Sequence, residues 1–165
     1  MIAIALSGLP GCGDHYTPAA PLDLADAPAW QAKEPVALIN GQPATEEVLI
    51  RRRAGAEAFA NYRAWTDTAV QIAQQGLVRR GVTVAPGSAK TLTLAITDVR
   101  SQTDAVESHT TITLRVTASD GRQKTYTGSG SAPAKALFHW HLDNVMAWTV
   151  HLMLDDPALA EFLSH

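Results

Sequence analysis

The hydrophobic pattern is clearest between residues 134 and 154, where it has the period of an amphipathic helix. At 100° per residue one broad arc holds Leu137, Phe138, His141, Leu142, Val145, Met146, Trp148, Thr149, Leu152 and Met153. The opposite arc holds His139, Trp140, Asp143, Asn144, Ala147, Val150 and His151. The segment has the length of a bilayer span, but its charged and polar residues make burial in lipid too costly. The pattern therefore predicts a helix that covers the protein core.

A second helix is predicted from Asn61 to Arg80. Its apolar stripe at helical spacing consists of Tyr62, Trp65, Ala69, Ile72, Ala73 and Gly76. Gly81 suits the position just beyond a helix, and Arg79 and Arg80 suit the negative end of the helix dipole. A short terminal helix is predicted after Asp156, a capping residue that precedes Pro157.

Between the two long helices the period changes to two, as in half-buried strands. Apolar residues alternate with polar ones, mostly threonines, in residues 91–99 and 109–118. Asp120 and Gly121 predict a tight hairpin turn into residues 122–130, whereas the polar residues 100–108 predict an exposed, mobile hairpin loop. Val36–Ile39 is predicted to form a hairpin with residues 46–52 across Asn40 and Gly41.

These elements together predict an α+β fold with two layers. A twisted antiparallel sheet of about four or more strands would be covered on one face by the two long helices. The other face, rich in Thr, Arg and Lys, is either solvated or a partner surface. Residues 51–53 are three consecutive arginines, which suit phosphate or lipid headgroups but more often form a solvated strand end.

The first twelve residues predict a membrane anchor. An apolar run ends in Leu9, Pro10, Gly11 and Cys12, which resembles the lipobox of bacterial lipoproteins, although Pro10 stands where Ser or Ala is usual and no basic residue precedes the run. The alternative is a structural cysteine in an N-terminal strand. Residues 13–35 hold four of the nine prolines and predict a semi-rigid tether whose end is pinned by Trp30. The folded domain is then expected at residues 36–165.

Composition limits the function classes. The chain has 165 residues and a net charge of −3, which does not favour nucleic acid as a partner. Its single cysteine excludes an internal disulfide and a zinc site built on several thiolates.

The order of elements resembles a known lipoprotein family. A helix, the segment RRGVTVAPGSAKTLTLAI at 79–96, a long strand, an Asp-Gly hairpin, a long helix and DDPALAEFL at 155–163 follow one another. This order is similar to the YajG-like family of bacterial lipoproteins and, more loosely, to auxiliary lipoproteins of ABC-type envelope transporters. The resemblance implies lipid attachment at Cys12. Gly13 replaces the Asp that retains such proteins at the inner membrane, which implies the outer membrane, facing the periplasm, with an anchor at the inner membrane as the alternative.

Two function classes follow from the remaining residues. No nucleophile elbow or P-loop is present, and His139 and Asp143 lack a third metal ligand in the sequence. A lipid-anchored binding or scaffolding protein, neither an enzyme nor dependent on a metal or cofactor, is therefore favoured. The alternative is a metal-dependent protein or an enzyme that uses His139, His141 and His151.

The partner-binding surface is predicted on the polar arc of the C-terminal helix, at Trp140, Asn144 and His151. A large aromatic residue on a polar arc is typical of binding hot spots. An envelope protein or a second copy of the chain is the expected partner, in addition to the membrane that holds the anchor. The alternative is that the tether or the terminal turn folds over Trp140.

Overall fold

Two sheets and three helices form the part of the chain that the computed structural model describes, residues 13–18, 29–53, 56–134 and 138–165. In chain order the elements are β1 (Gly13–His15), β2 (Val36–Asn40), β3 (Glu47–Arg53), β4 (Ala56–Asn61), α1 (Tyr62–Arg79), β5 (Lys90–Thr103), β6 (Glu107–Ala118), β7 (Gln123–Pro133), α2 (Phe138–Leu154) and α3 (Pro157–Ser164). The predicted α+β fold is confirmed. Among the described helices none is long and apolar enough to cross a membrane.

The larger sheet has the strand order β2-β5-β6-β7. Its central pairs are antiparallel, as predicted, but β2 runs parallel to β5. The predicted hairpin of residues 36–39 with residues 46–52 is therefore wrong. Gly41 continues the parallel pairing by donating its amide to the Leu94 carbonyl at 2.7 Å. The side chain of Asn40 binds Asp67 on α1 at 2.6 Å, so the chain does not turn back there.

The smaller sheet has the order β1-β4-β3 and includes the start of the predicted tether. β1 pairs in parallel with β4, with Asp14 opposite Ala58, so residues 13–15 belong to the folded domain rather than to a spacer. The tether prediction is wrong for this part of residues 13–35. At the other end Trp30 is pinned as predicted, because its amide donates to the Arg80 carbonyl at 2.7 Å and its ring lies 4.8 Å from the Arg80 guanidinium carbon.

Helix α1 begins and ends where the sequence predicts. Asn61 caps its first turn by accepting a hydrogen bond from the Ala64 amide at 3.0 Å, and Gly81 follows the helix with a φ of 83°. The predicted stripe faces the sheet and includes Trp65, which is fully buried. Thr66 accepts the Ile96 amide at 2.9 Å, beside a bulge in β5, so α1 satisfies a donor that the irregular ladder leaves free.

The hairpin between β5 and β6 is longer than its polar sequence suggests. The predicted mobile loop of residues 100–108 is wrong, because β5 extends to Thr103 and β6 starts at Glu107. The strand ends need no apolar alternation, since their hydroxyls bind one another: Thr110 donates to Ser101 at 3.0 Å, within the buried side. The next hairpin agrees with the prediction, with Gly121 at a φ of 88°.

Helix α2 lies on β7, where small residues allow close approach. A Cβ atom added at Gly128 would overlap the Thr149 hydroxyl and lie 3.0 Å from the Thr149 Cα. The buried residues of α2 are His141, Leu142, Val145, Met146, Thr149, Val150, Met153 and Leu154, and from Leu142 onwards they follow the spacing i, i+3, i+4. Two predicted positions are therefore wrong: Val150 is fully buried, and Trp148, which is not among these residues, is 48% exposed.

Candidate binding surface

Two tryptophans stand out of helix α2 on the same side. Trp140 is 60% exposed and Trp148 is 48% exposed, and they lie eight residues apart with the exposed Asn144 midway. At a rise of 1.5 Å per residue their Cα atoms are separated by about 12 Å along the helix axis. Two of the three predicted residues, Trp140 and Asn144, are thus together on this face. Trp148 was missed because the periodicity placed it on the core arc.

The third predicted residue, His151, supports this face rather than forming its centre. Its ring lies 5.4 Å from the Trp148 ring, at an angle of 33°, and its Nε2 lies 2.8 Å from the Asp155 carboxylate. His151 therefore borders the exposed Trp148 side chain on one side and is held by Asp155 on the other. The structure brings Trp148 and His151 into direct contact, which the sequence pattern did not indicate.

Strand β7 forms the opposite wall of a groove along these tryptophans. The groove has a volume of about 390 Å³ and is lined by Ser129, Gly130, Ser131, Trp140, His141, Asn144, Val145 and Trp148. Because β7 is the last strand in the order β2-β5-β6-β7, one of its edges has no neighbouring strand among the described residues. Such an edge presents backbone donors and acceptors to an incoming chain. The groove therefore lies beside an edge strand and is flanked by two aromatic side chains.

His141 lies at the bottom of this groove. Only 4% of the residue is exposed, and its Nε2 has no hydrogen-bond partner among the described residues. Burial lowers the pKa of the imidazole, as does the nearby His109, and these effects outweigh a hydrogen bond to the Gly130 carbonyl, which raises the pKa. His141 is therefore held neutral at pH 7. A buried polar nitrogen without a partner is uncommon in folded proteins and marks this position.

The three histidines of the alternative function do not converge. His139 binds Asp14 through Nε2 at 2.9 Å, His151 binds Asp155, and His141 is buried under Gly130. Across residues 13–18, 29–53, 56–134 and 138–165, no three side chains of His, Cys, Asp or Glu are placed to hold one metal ion. The spacing of His139 and Asp143 instead serves contacts with β1.

The N-terminal strand is fastened to the first turns of α2. The Tyr16 ring stacks on His139 at 4.2 Å with an angle of 2°, and its hydroxyl donates to the Asp143 carboxylate. The carbonyl of Tyr16 accepts the Trp65 indole N–H at 2.6 Å. The predicted lipidation residue, Cys12, lies outside the described residues. In the sequence it directly precedes β1, so a lipid at Cys12 would attach next to folded structure.

Comparisons with known proteins support the fold but name no function. No family model and no curated protein matches the chain. Among solved structures, protein XCC0632 from Xanthomonas campestris, of family DUF330, aligns with a TM-score of 0.56 at 12% identity, over 91% of this chain and 95% of its own. An uncharacterised protein aligns with a TM-score of 0.46 at 13% identity, over 90% of this chain and 97% of its own. At 12% identity the first likeness shows a shared fold alone.

Proposed function

We propose that this chain is a lipid-anchored binding component of the bacterial envelope, held at the outer membrane through Cys12 and facing the periplasm. The lipobox-like residues before Cys12 and the resemblance to YajG-like and ABC-type auxiliary lipoproteins support the anchor and an auxiliary role in an envelope complex. The observation that carries the binding role is the pair of exposed tryptophans, Trp140 and Trp148, beside the free edge of β7.

The groove favours an extended segment of a partner protein. A strand added along β7 would pair with the backbone groups of that edge other than the Gly130 carbonyl, which His141 binds, and its side chains would lie between the two tryptophans. The lining residues carry no formal charge while His141 is neutral, so a segment with small or apolar side chains is expected. Backbone pairing would supply affinity, and the spacing of the tryptophans would supply selectivity.

A lipid at Cys12 would lie near this groove, because Cys12 directly precedes β1 in the sequence. Tyr16 and Asp14 contact His139, the residue that precedes Trp140 in the chain. A lipid at Cys12 would thus be separated from the groove by β1 and one helical turn. The expected partner is therefore a membrane protein, or the membrane-proximal part of an envelope complex, rather than a protein free in the periplasm.

Loss of the Trp140 side chain tests the proposal. A tryptophan at the centre of an interface contributes about 2 kcal/mol or more, roughly a thirtyfold change in affinity. Trp140→Ala should weaken crosslinking to the partner in intact envelopes by about that factor and leave the melting temperature almost unchanged. Val78→Ala is a matched control, because Val78 is 55% exposed on α1, away from the groove.

Two results would contradict the binding surface. Equal crosslinking of wild type, Trp140→Ala and Val78→Ala would show that the partner binds elsewhere, with the polar face of the sheet as the next candidate. A melting temperature several degrees lower, with unchanged crosslinking, would show that Trp140 contributes to folding only. A photocrosslinking residue at Asn144 identifies the partner, since a crosslink to the chain itself would indicate a second copy.

A further inference from the structure

A second cavity lies at the other end of the sheet, under helix α3. Its volume is about 200 Å³, its walls are mostly carbon, and its lining includes Leu92, Val116, Ala118, Tyr126, Leu159 and Phe162. Phe162 and Leu159 belong to α3, and the other four residues belong to strands β5, β6 and β7. The cavity is open to solvent on one side. It is separate from the groove along α2, since none of its lining residues borders that groove.

The inner wall of this cavity carries a carboxylate, Asp156, whose negative charge is balanced by neighbouring donors. Tyr126 donates to Asp156 at 2.5 Å and Lys124 lies 2.8 Å from the same carboxylate oxygen. Burial raises the pKa of Asp156, but the hydrogen bonds from Lys124, Tyr126 and the Ala158 amide outweigh burial and lower the pKa. Asp156 is thus a charged cap of α3 with its own partners. It leaves little free charge inside the cavity.

The mouth of the cavity is positively charged. The Arg122 guanidinium carbon lies 5.4 Å from the Phe162 ring, and the Lys90 ammonium lies 5.7 Å from the same ring. Arg122 is paired with Asp120 at 2.7 Å, whereas Lys90 has only the Leu163 carbonyl, at 3.3 Å, among the described residues. The cations Lys90, Arg122 and Lys124 face the carboxylates of Asp120 and Asp156. Lys90 does not line the cavity itself, but it lies beside the Phe162 ring that does, and of these three cations it alone has no carboxylate partner among the described residues.

We infer that this cavity binds a small amphipathic carboxylate whose hydrocarbon chain fills the carbon-lined space and whose carboxylate lies at the mouth near Lys90 and Arg122. Liquid water takes roughly 30 Å³ per molecule, and a methylene group is of similar size, so the cavity accommodates about seven carbons. The ligand class is therefore a medium-chain fatty acid or an acyl group of that length. A cationic amphiphile would meet Lys90 and Arg122 and is excluded by charge.

A chain-length series on the full-length protein tests the inference by calorimetry. Each added methylene should tighten binding up to about fourfold while it is buried. Affinity should therefore rise from butanoate to octanoate and level off at decanoate, because further carbons would lie outside the cavity. Octyltrimethylammonium, with the same chain and opposite charge, should not bind. No binding of octanoate, or equal binding of the cation, would overturn the inference.

Two variants locate the site. Ala158→Phe should abolish octanoate binding, because Ala158 is exposed on α3 and lines the cavity, where a ring fills the space. Glu161→Phe is the matched control on the exposed side of α3, and it should bind as wild type does. Lys90→Gln should weaken octanoate about two- to fivefold and leave octanol unchanged. Equal binding by Ala158→Phe and wild type would place the ligand elsewhere and overturn the assignment.

A further experiment distinguishes a free fatty acid from a membrane phospholipid as the source of the acyl chain. Vesicles of zwitterionic phospholipid that carry no free fatty acid test whether a diacyl lipid supplies the chain. If octanoate binds equally well with and without the vesicles, a free carboxylate is supported as the ligand. Direct binding of the vesicles by wild type and Glu161→Phe, but not by Ala158→Phe, would show that membrane acyl chains enter the cavity and would overturn the free-acid assignment.

Discussion

Gly128 tests how closely α2 approaches the sheet. In Gly128→Ala the added methyl group would overlap the Thr149 hydroxyl and lie 3.0 Å from both the backbone nitrogen and the Cα of Thr149. The hydroxyl already donates to the Val145 carbonyl at 2.7 Å within the helix, so it cannot rotate away without losing a buried hydrogen bond. Either the helix moves off the strand or that bond breaks.

The expected loss follows from two opposing terms. Overpacking of a well-filled core costs about 1–3 kcal/mol. Replacement of glycine by alanine returns about 0.4–1 kcal/mol, because the unfolded chain has less conformational freedom to lose. At the midpoints of these ranges, about 2 and about 0.7 kcal/mol, the net destabilisation of Gly128→Ala should be about 1.3 kcal/mol, measured as a lower urea midpoint with an unchanged slope.

A partner substitution makes the result specific to this contact. Thr149→Ala removes the overlapping hydroxyl, so the double variant should lose at least 0.5 kcal/mol less than the two single losses added together. Ser129→Ala, at the exposed neighbouring position, is the control and should change stability by about 0.5 kcal/mol or less. Additive losses, or a Gly128→Ala variant as stable as wild type, would refute the close approach of α2 to β7.

Three further predictions concern the core, the buried histidine and the anchor. Leu142 is fully buried, so Leu142→Ala should lower the free energy of unfolding in urea by about 2–5 kcal/mol. Val106 is 73% exposed, so the control Val106→Ala should lower it by about 0.5 kcal/mol or less. Similar losses in the two variants would contradict the observed helix phase. Burial lowers the pKa of His141, so the unfolded chain takes up a proton before the folded chain does as the pH falls below about 6.5. Wild type should therefore lose more stability than His141→Gln between about pH 7 and pH 5. Parallel curves of unfolding free energy against pH would contradict the lowered pKa of His141. Cys12→Ser, with a functional signal sequence supplied, should leave the membrane fraction; continued fractionation with membranes would contradict the anchor.

The elements with strong local signals were predictable from the sequence. Helix α1 carries a capping Asn61, a continuous stripe and a terminal Gly81, and these agree with one another about where the helix starts and stops. The turn at Asp120 and Gly121 is similarly determined by local chemistry: the Arg122 amide binds the Asp120 carboxylate at 3.0 Å, and Gly121 supplies the positive φ. Local agreement of this kind needs no knowledge of the rest of the chain.

The partners of the short strands were not predictable in this way. Val36–Asn40 is a five-residue apolar run, and nothing in such a run distinguishes a parallel neighbour from an antiparallel one. Its parallel pairing with β5 needs a crossover connection, which here contains β3, β4 and α1, and Asn40 binds Asp67 of α1. β1 has three residues with no apolar alternation, and it is held instead by side chains of the distant α2. These pairings are properties of the tertiary structure.

The candidate site was half predictable for a similar reason. Trp140 and Asn144 are on the polar arc for any reasonable phase of the helix, so the sequence located them. Trp148 and Val150 lie near the border between the arcs, where a rotation of a few tens of degrees exchanges buried and exposed positions. Contact of α2 with α1 and α3 as well as with β7 sets that rotation, and Val150 is buried as a result. Trp148 then faces solvent beside Trp140.

The placement of β1 changes what an anchor at Cys12 implies. A proline-rich tether would let the domain reach far from the membrane and turn freely. β1 instead pairs with β4, and Asp14 of β1 and the next residue after the strand, Tyr16, bind α2, so a lipid at Cys12 would hold the domain close to the bilayer. Because His139 belongs to that attachment and Trp140 follows it, the proposed binding groove starts at the attached end of α2. If Cys12 carries the proposed lipid, membrane attachment would therefore hold the tryptophans near the membrane surface.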